Sequence, residues 1–396
     1  MLSADRDQLV RRRNGIFLIF GLTGLGLANL IARLPAIRDL LEVGAQELGF
    51  FLFAGAAGAI TGLLIASHVI AYLGVKRSIG IFGLLIFVAI GAVGLVGEAT
   101  GSLVLSASLM ILFGAGMSVT DVAMNVEGAE VERGLGRTIM PWYHAMFSLG
   151  TVAGGGTAAL ASWLGIGVGL HLLVTAVILG AFVFVVISLL NHQPSDAHAA
   201  EAEPKSTLKE RLSVWADPRT ILIGLVGLSM AFAEGSAGDW LAIGMVDDRG
   251  YTNAHGALWY VLFVAAMTVG RVVGVPLLDR YGRVPVLLAS SISAFIGLVA
   301  VILSDLPVVA GIAIVLWGLG TALGFPVAMS AAADGGPGST ARVSAVATVA
   351  YGAFLIGPPL IGWIAEYVGV LNALWSVAAL VALGMFAVPA TKEQKA

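Results

Sequence analysis

The sequence predicts an all-α integral membrane protein with twelve transmembrane helices, arranged as two pseudo-symmetric six-helix bundles. Hydrophobic residues make up 58% of the 396 residues and charged residues only 11%, which is too little polar surface to cover a soluble core of this length. Apolar runs of about 20 residues, the length that crosses about 30 Å of hydrocarbon, recur along the chain. A polar linker divides these runs into six and six.

The apolar runs give the predicted helices in order. The first run follows Arg11, Arg12 and Arg13 and resembles a secretory signal, but the many runs after it indicate a retained first span. The first six helices are predicted near residues 15–35, 47–71, 78–97, 103–130, 138–161 and 167–190. The second six are predicted near residues 220–243, 254–278, 285–304, 307–332, 341–364 and 370–389.

The stretch between the sixth and seventh spans has the mixed polar composition of a solvated connector. We therefore predict an N-terminal bundle over residues 1–190, a cytoplasmic linker over residues 191–219 and a C-terminal bundle over residues 220–396. Lys and Arg cluster on one side of the predicted membrane, and the opposite loops carry only Arg38 and Arg249. Because short loops rich in these residues stay in the cytoplasm, both termini and the linker are predicted to be cytoplasmic.

The fourth span carries an acid and an amide in an otherwise apolar setting. Asp121 and Asn125 are four residues apart, so they share one face of a helix. A carboxylate inside a bilayer needs a wet cavity, a partner or a bound proton. We expect Asp121 to bind and release the coupling proton. The alternative is a structural acid bonded to Asn125, Arg33 or Arg271.

Other ionisable residues also fall within predicted spans. Glu234, on the seventh span, is a second candidate for proton coupling, and the alternative is an ion pair across the bundle with Arg33. His144, on the fifth span, is a candidate proton shuttle, although a lone histidine in an apolar helix is often only hydrogen-bonded. Asp239 is a candidate substrate ligand, while a solvated acid beside the interfacial anchor Trp240 accounts for the same pattern.

Two arginines fall within spans and are always charged, so each needs a partner or water. Arg33 is expected to meet Glu234 or Asp239, and Arg271 is expected to meet an acid from the other half. If the substrate is anionic, either arginine is a candidate to hold its carboxylate or phosphate.

Charged residues gather at two cytoplasmic turns, where salt bridges that form in one state and break in the other would gate a carrier. The candidates at the first turn are Glu127, Glu130, Glu132, Arg133 and Arg137. Those at the second turn are Asp279, Arg280 and Arg283, with Arg271 in the span before it.

The second turn resembles the loop motif of the major facilitator superfamily, a G-x-x-x-D-R-x-G-R-type pattern after the second and eighth spans. The residues that match it are Asp279, Arg280, Gly282 and Arg283. The first copy keeps Gly74, Lys76 and Arg77, but Ala71 stands where an acid is expected. The resemblance covers essentially the whole chain and implies the major facilitator fold, with alternating access between the two bundles.

Closer features resemble fucose permeases, in whose fourth span an acid-x-x-x-Asn pattern like that of Asp121 and Asn125 is linked to proton coupling. His144 followed by Phe147-Ser-Leu-Gly150 resembles their fifth span. Fucose permeases also carry an acid four residues before a first-span proline, but Ile31 holds that position here. The fucose-type pair of carboxylates is therefore absent, and no sugar specificity is carried over.

The chain is also similar to YbjJ-like permeases, a bacterial group that includes rhizopine-transporter-like proteins. The residues that carry this likeness are Arg33 to Pro35, Val122 to Asn125, Glu234 with Asp239 and Trp240, and Tyr351 with Gly357 to Pro359. The resemblance implies a monomer in a bacterial plasma (inner) membrane, and it places Tyr351 in a cavity-lining helix. The candidate substrate-binding residues are Asn29, Arg33, Asn125, Asp239 and Tyr351.

These observations predict a secondary transporter that carries a small polar solute, sugar- or polyol-like, together with protons. The alternatives are a proton-linked antiporter that exports a drug or metabolite, and a membrane scaffold or sensor that has lost transport. The sequence shows no phosphate-binding loop, nucleophile–base set or metal-spaced cluster, and it has no cysteine. We therefore expect no enzyme activity, no cofactor beyond the coupling proton, and the bilayer and the solute, not nucleic acid, as partners.

Overall fold

The computed structural model describes residues 2–136, 139–190, 214–334 and 339–393, and these residues form helices and turns without a strand. The helices of the first half are α1 (Leu2–Ile31), α2 (Leu34–Leu41), α3 (Ala45–Leu73), α4 (Val75–Thr100), α5 (Leu103–Leu135), α6 (Met140–Trp163) and α7 (Val168–Leu189). Those of the second half are α8 (Pro218–Ser236), α9 (Ala242–Asp247), α10 (Asn253–Tyr281), α11 (Arg283–Leu303), α12 (Pro307–Thr321), α13 (Gly324–Ala332), α14 (Ser339–Val368), α15 (Val370–Ala373) and α16 (Trp375–Ala387).

The predicted fold class is confirmed. Within the described ranges, eleven helical segments are long and apolar enough to cross a membrane, close to the twelve predicted. One predicted span is not among these eleven segments. It corresponds to α6, which has 24 residues but carries polar side chains such as His144 and Thr157. Several helices extend beyond their predicted spans, because amphipathic turns continue a helix past the hydrocarbon into the headgroup region.

Some predicted spans are interrupted. The first ends at Ile31, and the short α2 follows with Pro35 in its first turn, where proline removes no helical hydrogen bond. The seventh contains a π-helical turn, Ala237–Leu241, between α8 and α9. The tenth is divided into α12 and α13. Apolar length predicts that a segment crosses the bilayer, but it does not reveal such breaks.

The chain divides into two compact units. Unit 1 is Met1–Gln193 with Gly250–Val261, and unit 2 is Pro194–Arg249 with Leu262–Ala396. In unit 1, α3 packs on α5 and α1 on α6; in unit 2, α11 packs on α12 and α14 on α8. The predicted domain boundaries stay a prediction, and most of the predicted linker, residues 191–213, lies outside the described ranges.

Glycine allows the closest helix pairs of unit 1 to form. A Cβ at Gly58 of α3 would collide with the backbone of Ile111 in α5. A Cβ at Gly150 of α6 would collide with the backbone of Gly21 in α1. Small residues are the usual means by which transmembrane backbones approach this closely, because lipid supplies no hydrophobic drive between helices.

Asp217 caps α8 at the edge of unit 2. Its carboxylate accepts the backbone N–H groups of Arg219 (3.2 Å) and Thr220 (3.1 Å) and the Thr220 hydroxyl (2.6 Å). The hydroxyl hydrogen bond is the main reason that the pKa of Asp217 lies below its usual range.

Asp217→Ala is expected to lower the free energy of unfolding by about 0.5–2 kcal/mol at neutral pH, the usual contribution of a helix cap. Because the folded pKa is depressed, this stabilisation is present above the ordinary value of about 3.9 and is lost as pH falls through the lower folded value. Thermal unfolding of both proteins from pH 7 down to pH 3 checks this, and a constant difference across that range contradicts it.

Candidate functional site

Asp121 lies on α5 and is exposed to solvent, although the segment around it is apolar. Asn125, one turn later, donates from Nδ2 to the backbone carbonyl of Asp121 at 2.8 Å and to its Oδ1 at 3.1 Å. No cation pairs with Asp121 in the part of the chain that the structure describes. The bond to Asn125 was one of the predicted alternatives, and it leaves the carboxylate accessible.

Asp121 does not share the side of α5 that carries the exposed apolar residue Val126. At about 100° per residue, Asp121 lies about 140° round the helix from Val126. Gly114 and Gly128, seven residues before and after Asp121, lie nearly in line with it. Gly114 packs against α3 and Gly128 against α6, so Asp121 lies on the side of α5 that these two helices flank.

His144 is exposed on α6 and makes an edge-on ring contact with Phe20 of α1, with ring centroids 5.2 Å apart. It lies about 140° round the helix from Leu149, an exposed apolar residue. Both His144 and Asp121 are therefore placed off the apolar sides of their helices. A proton role for His144 stays a prediction.

Asn29 and Arg33 are enclosed in unit 1. Asn29 is 1% exposed; its Nδ2 donates to the carbonyl of Leu25 at 2.9 Å, and its Oδ1 accepts the Thr157 hydroxyl at 3.1 Å. Arg33 is 4% exposed and donates from Nη2 to the carbonyl of Ile166 at 2.7 Å. The predicted partners of Arg33 were Glu234 or Asp239, and that prediction is wrong because Arg33 bonds a backbone carbonyl instead.

The acids in the last turns of α5 have different partners from the predicted ones. Arg12 of α1 donates from Nε to Glu127 at 2.6 Å, and its Nη2 lies 3.0 Å from Glu130. Both Arg12 and Glu127 are nearly fully buried. In the sequence analysis, Arg12 served only as one of the positive charges that orient the chain in the membrane. Nothing near it in the sequence indicates a partner 115 residues away. This pair ties α1 to α5.

Glu132 caps the start of α6. Its Oε2 accepts the backbone N–H groups of Ile139 at 2.5 Å and Met140 at 2.8 Å. Arg133 is exposed and makes no ion pair with any described residue, and Arg137 lies outside the described residues. Glu132 therefore bonds backbone N–H groups and does not form the salt bridge that was predicted at this turn. The gating roles of Glu132, Arg133 and Arg137 stay predictions.

In unit 2, Glu234 of α8 and Arg271 of α10 form an ion pair. Arg271 Nη2 lies 2.9 Å from Glu234 Oε1, and the Arg271 and Glu234 side chains are 36% and 26% exposed, respectively. The prediction that Arg271 meets an acid of the other half is wrong, because its partner is in its own half. The predicted pair of Glu234 with Arg33 is replaced by this one.

Asp239 lies in the π-helical turn Ala237–Leu241 and is half-buried. Five residues separate it from Glu234, which would place the two about 140° apart on a regular α-helix. A π turn bonds each residue to the fifth one along, so the spacing of side chains in this segment departs from that of a regular α-helix. Trp240 is fully buried and is therefore a packing residue, not the predicted interfacial anchor.

Tyr351 of α14 is 40% exposed and lies beside Phe325 (5.8 Å between ring centroids) and Phe354 (6.5 Å). An exposed aromatic cluster of this kind can stack on a sugar-like face, so its predicted role in substrate binding remains open to test. Trp317, by contrast, is fully buried and donates from Nε1 to the carbonyl of Ala233 at 3.1 Å.

The second of the two charged turns pairs with an acid that sequence reasoning missed. Arg283 donates from Nη1 to both carboxylate oxygens of Asp334 at 2.8 Å, and Arg219 reaches Asp334 Oδ2 at 3.2 Å. Arg342 donates to the backbone carbonyl of Asp334 at 2.5 Å. The signal in the sequence was weak, since Asp334 is a single acid at the end of an apolar span.

Asp279 and Arg280 stand apart from this cluster. Asp279 is exposed and has no partner among the described residues, and Arg280 lies over the ring of Tyr281 at 5.2 Å. Asp279, Arg271 and Arg283 all line one cavity of about 480 Å³ in unit 2. Of the predicted gating residues at this turn, the structure places Arg283 in an ion pair.

Asp334→Asn is expected to slow transport at least several-fold, because it removes the charge that holds Arg283 and Arg219 at the turn and so alters the balance between states. Initial uptake rates in proteoliposomes measure this effect. Asp305→Asn, at an exposed acid of unit 2 away from this turn, is the matched control and is expected to have a smaller effect. Equal rates in the two variants contradict the role given to Asp334.

No group of three or more His, Cys, Asp and Glu residues that could hold a metal ion occurs within the ranges described. The polar side chains instead form separate sets: Asp121 with Asn125, Arg12 with its acids, and Glu234 with Arg271. Such sets suit proton binding and switching between ion-pair arrangements better than covalent chemistry.

Comparison with known proteins agrees with this architecture. A family model described as Major Facilitator Superfamily matches residues 16–354 and 240–395. The chain is 32% identical over 386 residues to a protein of Sinorhizobium fredii described as uncharacterised transporter y4wD, covering 96% of this chain and 98% of that one. It is 28% identical over 366 residues to membrane protein MosC of Rhizobium meliloti, covering 91% and 85%.

Among solved structures, the chain is similar to a mutant form of the nucleoside transporter NupG, with a TM-score of 0.80 over 97% of this chain and 99% of that one. At 13% sequence identity this likeness concerns the fold alone.

Proposed function

This chain belongs to the Major Facilitator Superfamily, and on that premise we propose that it is a proton-coupled symporter of a small polar solute, sugar- or polyol-like. The observation that carries the proposal is Asp121. It is an accessible carboxylate inside an apolar span, it is bonded to Asn125, and it has no cation partner among the described residues. An ionisable residue at such a position is a functional residue by default.

In the proposed cycle, Asp121 takes up a proton from the outer side and the solute binds beside it. Protonation removes a charge from the cavity, so the loaded carrier can change state without moving a carboxylate through a low-dielectric region. Release of the proton on the cytoplasmic side restores the charge. The net movement of solute then follows the proton gradient.

The ion pair of Glu234 and Arg271 supports a second, dependent step. Both side chains are partly exposed, so water or a solute hydroxyl can compete for their charges. A pair that opens in one state and closes in the other biases the balance between states. His144 is a candidate relay between solvent and Asp121, because it is exposed on a helix that flanks the acid.

For the solute, Asn125 is the proposed ligand in unit 1, because it is partly exposed and lies one turn from Asp121. Asp239 and Tyr351 of unit 2 stay candidate ligands, because their side chains are at least partly exposed. Amide and carboxylate groups bind hydroxyls, and an aromatic face stacks on the apolar face of a sugar ring. Asn29 and Arg33 are buried, so they contribute to this site only if their surroundings open.

The multi-pass chain is proposed to lie in the bacterial plasma membrane as a monomer, with both termini in the cytoplasm. The excess of Lys and Arg in the loops on that side supports the orientation. Labelling of single cysteines introduced at the exposed residues Thr100 and Tyr72 in intact cells tests it. Access from outside is expected at position 100 and not at position 72.

Proteoliposomes that contain a trapped pH-sensitive dye test the proposed function. Hexoses, pentoses and polyols are first screened by thermal shift at pH 6 and pH 8, and the compounds that stabilise the protein are added outside the vesicles. Symport is expected to acidify the lumen, whereas an exporting antiporter running in reverse would make it alkaline. A stabilising solute that enters without any change in lumenal pH contradicts proton coupling.

A further inference from the structure

Arg33 is a buried cation without a counter-ion among the described residues. Its hydrogen bond within these ranges runs to the carbonyl of Ile166, a neutral group. Its Nε and Nη1 are both buried and have no hydrogen-bond partner in the described part of the chain. A buried charge without compensation costs several kcal/mol, so a group that carries negative charge is needed at these two nitrogens.

His171 supplies a further unsatisfied polar atom in the same region. It lies in the first turn of α7 and is 8% exposed, and its Nδ1 is buried without a partner among the residues described. The charge of Arg33 acts electrostatically on this ring. Ile166, which accepts the Arg33 hydrogen bond, directly precedes Gly167 at the start of α7. Arg33 and His171 therefore both lie near the start of α7.

The helix end itself is already compensated. The carboxylate of Glu98, near the end of α4, lies against Gly167 and Gly169. It supplies negative charge to the positive end of the α7 dipole. Among the described residues Glu98 makes no ion pair with Arg33, so it leaves the guanidinium uncompensated. A ligand is therefore indicated by Arg33 and His171 and not by the helix terminus.

We propose that Arg33 and His171 bind a small monovalent anion at the start of α7. Nε–H and Nη1–H of Arg33 donate to it, and Nδ1–H of His171 adds a third donor. Because all three atoms are enclosed, we expect a bound ion no larger than chloride or formate. Gly165 and Gly167 of the adjoining loop are exposed, which gives a short path from solvent. This site goes beyond the proposed function, because the anion stays bound as part of the folded protein and is not the transported solute.

Thermal unfolding of the full chain, purified in detergent, tests the proposal in sodium chloride, sodium formate and sodium HEPES at equal ionic strength. Chloride or formate is expected to raise Tm saturably by several degrees relative to HEPES, as for any ligand that binds only the folded state. Arg33→Gln is expected to abolish this increase. Arg38→Gln removes an outer arginine that pairs with Asp39 at 2.6 Å, and this matched control is expected to keep it.

Comparison of the salts also shows whether the bound anion is an inorganic ion or a carboxylate. An increase with chloride indicates an inorganic ion, and an increase with formate alone indicates a site for a carboxylate group. His171→Phe is expected to raise the half-saturating concentration about tenfold, and this variant decides the matter if Arg33→Gln does not fold. Equal Tm in the three salts, an unaltered increase in Arg33→Gln, or an unchanged half-saturating concentration in His171→Phe would each overturn the proposal.

Discussion

Asp121→Asn is expected to abolish proton-driven accumulation of the solute while leaving exchange of solute across the membrane intact. The amide keeps the size and polarity of the side chain and its hydrogen bond to Asn125, but it cannot take up a proton. A pH difference of one unit corresponds to about 1.4 kcal/mol, which supports about tenfold accumulation with one proton per solute. In the variant this ratio is expected to fall to about one. Uptake into proteoliposomes with and without a pH gradient measures it.

Two controls separate coupling from folding in this experiment. Asp39→Asn removes an acid that is half-exposed at the outer end of unit 1, and it should leave accumulation unchanged. Counterflow, in which trapped solute drives entry of labelled solute, should persist in Asp121→Asn because it needs no net proton movement. Accumulation by Asp121→Asn at the level of the unmodified protein would remove Asp121 from the mechanism.

Arg12→Met is expected to destabilise the protein by about 3–5 kcal/mol, because the Glu127 carboxylate stays buried without compensation. The Arg12 and Glu127 side chains are only 6% and 8% exposed, and Arg12 Nε lies 2.6 Å from Glu127 Oε1. Arg12→Met should lower Tm by roughly 10 °C on the usual relation between stability and melting temperature. Glu127→Leu should lower Tm less, because Glu130 still lies 3.0 Å from Arg12 Nη2. Thermal unfolding in detergent measures this.

The double variant Arg12→Met with Glu127→Leu distinguishes a buried pair from two independent contacts. Replacing both charges by apolar groups removes the uncompensated Glu127 charge, so the double variant should be more stable than Arg12→Met alone. Arg11→Met, at the exposed neighbouring position, is the matched control and should change Tm little. Additive losses in the double variant contradict the pairing.

Sequence reasoning succeeded where the cause is local. Apolar length set the approximate spans, and the four-residue spacing predicted the bond between Asp121 and Asn125. It failed for partners of charged residues. Arg33 was expected to meet an acid and meets the carbonyl of Ile166. Buried charge predicts only that a partner exists, because every acid in the chain is a candidate until the helices are placed.

The sequence by itself thus determined a multi-pass helical bundle, the approximate spans and the position of the lone acid Asp121 within one of them, since hydropathy and helical spacing act over about twenty residues or fewer. Tertiary structure alone decided that Arg271 bonds Glu234 and Arg283 bonds Asp334, across 37 and 51 residues of sequence. It also decided that Asp239 lies in a π-helical turn. The physical reason is that helix rotation and close packing set which polar groups meet, and both depend on contacts made by the whole unit.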